Sequence, residues 1–198
     1  MVGVSQSSVS VWVRDLELTL EQVELLRARA AQRRIAAWRA RARAKREAAQ
    51  EEGRLRARSA DAAYAAGCML FWAEGSRRRN QVQFVNSDPA MMRFFAEFLR
   101  ANFDVREERV AVTCNLFADH LDRQREIEDL WLETLGLTRV NLRPSVVNRY
   151  SKYSKKKRTN KLPYGTCRLT VSDTRIVQML YGSIQELAGF TREAWLDL

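Results

Sequence analysis

The sequence is poor in the residues that mark metal, redox or secreted proteins. It has one histidine, His120, and three widely spaced cysteines, Cys68, Cys114 and Cys167, each in apolar surroundings. An odd cysteine count without CxxC spacing or a Cys/His cluster argues against a zinc module and reads as reduced thiols rather than a disulfide framework. No apolar run approaches the roughly 18 residues of a membrane helix and no signal peptide opens the chain, so a cytoplasmic, nucleoid-associated address is expected. P-loop, Rossmann glycine and Ser/His/Asp patterns are also missing. Acid is the other shortage. Thirty-four Lys and Arg face twenty-four Asp and Glu, a net charge of +10, beside an ordinary 46% of apolar residues. Such a field attracts polyanions, and the length suits one good-sized domain with a small module.

From Gly3 to Arg14 the chain reads GVSQSSVSVWVR. Gly3 suits a tight turn and Ser5 suits a helix cap. Val9, Trp12 and Val13 then share one face, which leaves Gln6, Ser7, Ser8 and Ser10 pointing elsewhere, with Arg14 closing the last turn. The stretch resembles the turn and recognition helix of helix-turn-helix proteins. That resemblance implies that Gln6, Ser7, Ser8 and Ser10 reach base edges in a major groove, with Arg14 also at the DNA. Only Met1 and Val2 precede the turn, so the motif reads as partial (residues 1–18), or as an ordinary capped helix with an apolar side.

Thr19 and Gln22 have the spacing of a capping box, and strong helix formers follow to Arg58 with Gly53 the only interruption. This segment, 19–59, reads as a long Arg/Ala-rich helical linker that, if straight, would reach roughly 60 Å. Leu25, Ala28, Ala31, Ile35, Trp38 and Ala42 form a narrow apolar stripe along it. Nine cations and no acid lie between Arg27 and Arg46. Single-sign crowding costs stability unless something anionic covers it, so Arg27, Arg34 and Arg41 are expected at phosphates; a solvated connector is the plainer alternative.

A globular domain is expected over residues 60–198. Its first helix, capped by Ser59 or Asp61, is almost wholly apolar from Ala62 to Ala73 and so is expected to be buried, with small residues at 62, 66 and 73 that let another backbone approach. Gly75 ends it. Arg77, Arg78 and Arg79 make a basic turn, and Gln81 to Asn86 alternates as a strand. Asp88 and Pro89 open a helix. Strands are expected from Arg109 to Phe117, Val140 to Val147 and Tyr164 to Val171, and amphipathic helices from Asp122 to Leu135 and Thr174 to Leu187. His120 is expected to cap or lie at the surface. Between Asn148 and Lys161 a loop carries Arg149, Lys152, Lys155, Lys156, Lys157, Arg158 and Lys161, interleaved with Tyr150 and Tyr153 and without an acid.

This order of elements, with a first helix ending Trp72-Ala73-Glu74-Gly75-Ser76 and a helix start at Asn86-Ser87-Asp88, resembles the LAGLIDADG homing-endonuclease fold over about residues 61–190. The resemblance implies an α+β domain whose antiparallel sheet, with helices on one face, lies over a major groove. It also implies a divalent cation, Mg²⁺, on the carboxylate at the motif helix's end, here Glu74. The family's residue there is usually Asp. With one motif helix, cleavage needs a homodimer to bring two acids together. Degenerate relatives, sporulation regulators of the WhiA type, keep the fold and a helix-turn-helix as DNA binders without cleavage.

The reading is therefore a sequence-specific duplex-DNA-binding protein, a transcriptional or mobile-element regulator, without cleavage and without a cofactor. Lys and Arg supply phosphate affinity, while the polar residues of the first helix and Gln81 and Gln83 read bases. A homodimer and no membrane partner are expected. Two alternatives stay open: a Mg²⁺-dependent site-specific endonuclease acting through Glu74, with Lys161 as a weaker catalytic candidate, and an RNA binder whose Tyr/Lys loop stacks unpaired bases.

Overall fold

The computed structural model describes residues 3, 5–14, 16–148 and 162–197. Those residues fall into two compact units, one up to Ala42 and one from Arg43 onward. The cation-rich loop, with Arg149, Tyr150, Lys152, Tyr153, Lys155, Lys156, Lys157, Arg158 and Lys161, lies outside the described residues.

The first unit holds α1 (Gln6–Trp12) and the start of α2 (Leu20–Arg58). Ser5 caps α1, its Oγ accepting from the Ser8 N–H at 3.2 Å. The capping box opens α2 as the spacing requires: the Thr19 N–H donates to Gln22 Oε1 at 3.0 Å and the Gln22 N–H to Thr19 Oγ1 at 3.2 Å.

The second unit begins inside α2, where Ala49, Gln50, Gly53 and Ala57 are buried. Two alanines, a glycine and a polar glutamine give little hydrophobic signal, which is why this stretch passes for linker in the sequence. They admit α6 (Thr174–Ala188) at backbone distance. A Cβ on Gly53 would stand 2.0 Å from the Met179 carbonyl oxygen, and one on Gly182 would stand 1.9 Å from that of Gln50. Glycine is required at both. Gln50 and Gln185 bridge the same crossing, and Gln50 Nε2 donates to Gln178 Oε1 at 2.8 Å.

The rest of the unit runs α3 (Ala62–Glu74), β1 (Val82–Asn86), α4 (Pro89–Asn102), β2 (Val110–Phe117), α5 (Gln124–Leu135), β3 (Val146–Asn148), β4 (Thr166–Val171) and α6. Asp61, rather than Ser59, caps α3, and Asp88 caps α4 with Pro89 at its first position. The strands form one sheet in the order β1-β4-β2-β3. It is mixed, which corrects the expectation of an antiparallel sheet. β4 is antiparallel to β1 and β2, but β3 is parallel to β2 because α5 lies between them as a crossover. β3 is also shorter than the stretch expected from Val140. A 3-10 turn occupies Arg139–Asn141, Val140 is exposed, and Pro144, lacking an N–H, interrupts the ladder between the Leu142 bridge and β3.

Alternation along β1, β2 and β4 buries Val82, Phe84, Val112, Cys114, Cys167 and Leu169 on one face. Against it Phe95 of α4 stacks on Phe84 with centroids 4.2 Å apart, and Phe71 of α3 stacks on Phe95 at 5.8 Å. Such pairs add about 0.5–1.5 kcal/mol each beyond area burial. Trp195, from the closing 3-10 turn Glu193–Leu196, fills the far side of Tyr181.

The apolar α3 is not buried on all sides. Tyr64, Gly67, Cys68 and Phe71 face the core, whereas Ala62, Ala63, Ala66, Trp72 and Ala73 are exposed. A helix apolar all round needs cover on both faces, and this fold supplies it on one.

Candidate nucleic-acid interface

The face of the sheet opposite the core is polar and half-buried. Strand registers set its side chains in rows: Gln83, Thr170 and Ala111; then Val85, Arg168 and Thr113; then Thr166, Asn115 and the exposed Val146. Asn115 Nδ2 donates to Thr166 Oγ1 at 3.2 Å, tying the two strands at the end of the face. Arg168 stands in the middle row. Its Nε is the one buried side-chain polar atom without a hydrogen-bond partner among the described residues. An unmet buried donor costs about 1–3 kcal/mol, more when charged.

Beside β1 lies a second basic feature. The end of α3 turns back on β1 as a short hairpin, with Gly75 bridged to Phe84 and the Ser76 N–H donating to Gln83 O at 2.9 Å. Its tip is Arg77, Arg78, Arg79 and Asn80, all exposed, with Gln81 half-buried beside them. The tip backbone is clamped from α6. Tyr181 Oη accepts from the Arg78 N–H at 2.8 Å and donates to the Arg78 carbonyl at 2.9 Å, and Gln178 Nε2 donates to the Arg79 carbonyl at 3.1 Å. Burial pushes the Tyr181 phenol up to about 12, so it stays a neutral donor and acceptor. Among the described residues no acid pairs with the three guanidinium groups, which are presented outward on a fixed backbone.

Glu74 ends α3, exposed, and its Oε2 accepts from Asn86 Nδ2 at 3.5 Å. Among the described residues no three His, Cys, Asp or Glu gather where they could hold a metal ion. His120 is buried, with Nδ1 accepting from the Phe117 N–H at 3.3 Å, so it braces the turn after β2 rather than lying at the surface. The cysteines are free and buried. Burial pushes the Cys68 thiol up to about 12 and the Cys114 thiol up to about 11, and it raises Cys167 as well.

In the first unit, Ser7 and Ser8 turn their hydroxyls to Ser5 Oγ at 2.7 and 3.0 Å, joining the cap instead of standing free. Ser10 and Arg14 are exposed, and the side chain of Gln6 lies outside the described set. Arg27, Arg34 and Arg41 are exposed along α2. Two other members of the cation run are engaged within the second unit: Arg43 pairs with Glu47 and Asp197, and Arg46 donates to the Leu196 carbonyl at 2.6 Å.

The structure thus brings Gln83 together with Thr113, Thr166, Arg168 and Thr170, residues the sequence reading passed over. The signal was available. In TCRLTV strict alternation puts Thr166, Arg168 and Thr170 on the face opposite Cys167, Leu169 and Val171. Comparison with family models, curated proteins and solved structures found no match. No described helix is long and apolar enough to cross a membrane.

Proposed function

We propose that the chain is a sequence-specific duplex-DNA-binding protein that holds DNA against the polar face of its sheet and acts as a regulator without cutting the strand. The observation that carries this reading is Arg168: an arginine whose buried Nε has no partner among the described residues, on a face that also carries Gln83, Thr113, Asn115, Thr166 and Thr170 beside Val85, Ala111 and Val146. Short hydroxyls and amides reach base edges, and a guanidinium among them pairs with guanine O6 and N7 or with phosphate. Arg77, Arg78 and Arg79 give this face a phosphate clamp at its β1 edge. The LAGLIDADG-like order of elements agrees with this use of the sheet, and the exposed small residues of α3, Ala62, Ala66 and Ala73, suit a close helix contact in a homodimer. Glu74, the residue that the resemblance would give to Mg²⁺, is engaged by Asn86.

The test is competition. A labelled duplex pool bound by the full chain is challenged with unlabelled duplex DNA, single-stranded DNA and structured RNA, and cleavage is followed in the presence of Mg²⁺. Duplex DNA is expected to compete best, with the strands intact. Preferential displacement by RNA, or strand scission that Glu74→Gln abolishes, contradicts the proposal.

A further inference from the structure

Helix α2 carries an apolar stripe that the first unit leaves open: Leu25 and Ile35 are each 50% exposed and Trp38 is 69% exposed. Ala28, Ala31, Ile35, Trp38 and Ala42 succeed one another at spacings of three, four, three and four, the repeat of a seam that a second helix fills. Arg27, Arg34 and Arg41 recur every seven residues and so run in a line along one border. Arg39 stands on the other border; Arg46, seven residues on, is already engaged by the Leu196 carbonyl and Asp197. No ion pair engages Arg27, Arg34, Arg39 or Arg41 among the described residues.

We propose that this seam docks an amphipathic helix of a partner protein, apolar along its centre and acidic along both borders. Three occupants compete for such a surface, and charge separates them. A second copy is disfavoured in either orientation. Parallel pairing sets Arg34 against Arg39 of the other copy, and antiparallel pairing sets the Arg27, Arg34 and Arg41 line against itself. A phosphate backbone satisfies the arginines but leaves Ile35 and Trp38 in water at the centre of the contact. An acidic-bordered helix answers both, covering the apolar centre and pairing the cations on each side.

The probe is a labelled synthetic peptide of about four heptads with Leu at the seam positions and Glu at the borders. Its binding to the full chain is followed by fluorescence anisotropy. Two controls keep its length: one has Ser at the seam with the Glu borders unchanged, the other has Lys borders. The Leu/Glu peptide is expected to bind, and the Ser-seam control to bind weaker by about tenfold or more. Ile35→Ser with Trp38→Ser, both at exposed positions, is expected to weaken the Leu/Glu peptide similarly while leaving helicity unchanged. Arg27→Glu, Arg34→Glu and Arg41→Glu together are expected to move the preference to the Lys-bordered peptide. Equal binding of the Ser-seam and Leu/Glu peptides overturns the proposal in favour of a plain polyanion surface. So does loss of duplex-DNA binding in the triple-Glu variant without any change in peptide binding. A wild-type dimer in sedimentation that Ile35→Ser/Trp38→Ser converts to monomer overturns it in favour of a second copy.

Discussion

Arg168 concentrates the functional argument in one side chain. Because its Nε has no partner among the described residues, Arg168→Ala removes no hydrogen bond seen among them. It is therefore expected to leave the melting temperature unchanged or slightly raised. Removing one base or phosphate contact of this kind costs about 1–3 kcal/mol of binding, so duplex affinity should fall about tenfold. Anisotropy and a thermal melt on the same samples check both halves. Other residues set the pH limits of stability. Burial pushes the Glu128 carboxyl up, but hydrogen bonds from Ser145, Gln124 and Arg139 outweigh it and leave the group below its ordinary value. The unfolded chain then binds the extra proton first, so this contribution is complete above the ordinary carboxylate range and is lost as pH falls through the folded value. On the alkaline side burial raises Cys68, Cys114, Tyr64 and Tyr181. The unfolded chain ionises first, from the ordinary thiol and phenol values of about 8.5 to 10, and stability falls as pH rises through that window. Urea midpoints across pH are expected to decline at both ends, and Glu128→Gln should flatten the acid limb.

Elements carry the next set of consequences. The crossing of α2 and α6 relies on two hydrogen atoms, those in place of Cβ at Gly53 and Gly182. A Gly→Ala change inside an exposed helix gains about 0.5–1 kcal/mol from backbone entropy. Here the added methyl meets backbone carbonyls at 2.0 and 1.9 Å. The clash decides the sign, and Gly182→Ala is expected to lose about 1–3 kcal/mol, measured as a lower urea midpoint. The Arg77–Asn80 tip is held differently, by one phenol that both accepts and donates. Tyr181→Phe leaves the Arg78 N–H and carbonyl without their partner, at a cost of about 1–3 kcal/mol. It should also weaken duplex binding, because the arginines lose their fixed backbone; unchanged DNA affinity would show that the clamp serves stability alone.

Helix caps and alternation were legible in the sequence to within a residue or two. Thr19 with Gln22, Asp88 with Pro89, and the αL Gly136 after α5 act locally, through side chains that reach only three or four residues. What the sequence hid depends on long-range pairing. The parallel placement of β3, the open face of α3 and the core role of Gly53 follow from neighbours distant in the chain. Of the candidate site, Arg77–Arg79 and Gln83 were visible as a basic turn and a strand residue. Arg168 was not singled out, because a single cation inside an otherwise apolar and hydroxyl-bearing strand makes no motif until its cross-strand neighbours are known.

Across the whole molecule, a charge of +10 acquires an internal division. Arg43, Arg46, Arg58, Arg109, Arg139 and Arg175 are paired within the second unit. Among the described residues, Arg77, Arg78, Arg79 and Arg168 are not. Net charge alone supports diffuse polyanion binding; this division leaves four of the unpaired cations on and beside one sheet face, where the proposal puts bases as well as phosphates. Phosphate contacts lose affinity with salt whereas base contacts discriminate sequence. The most direct test is selection from a random duplex pool by the full chain at physiological salt, followed by affinity measurements on the enriched sequence with wild type and Arg168→Ala. The account predicts an enriched motif that wild type binds about tenfold more tightly than Arg168→Ala does. An unenriched pool, or an enriched sequence that both proteins bind equally, would contradict it.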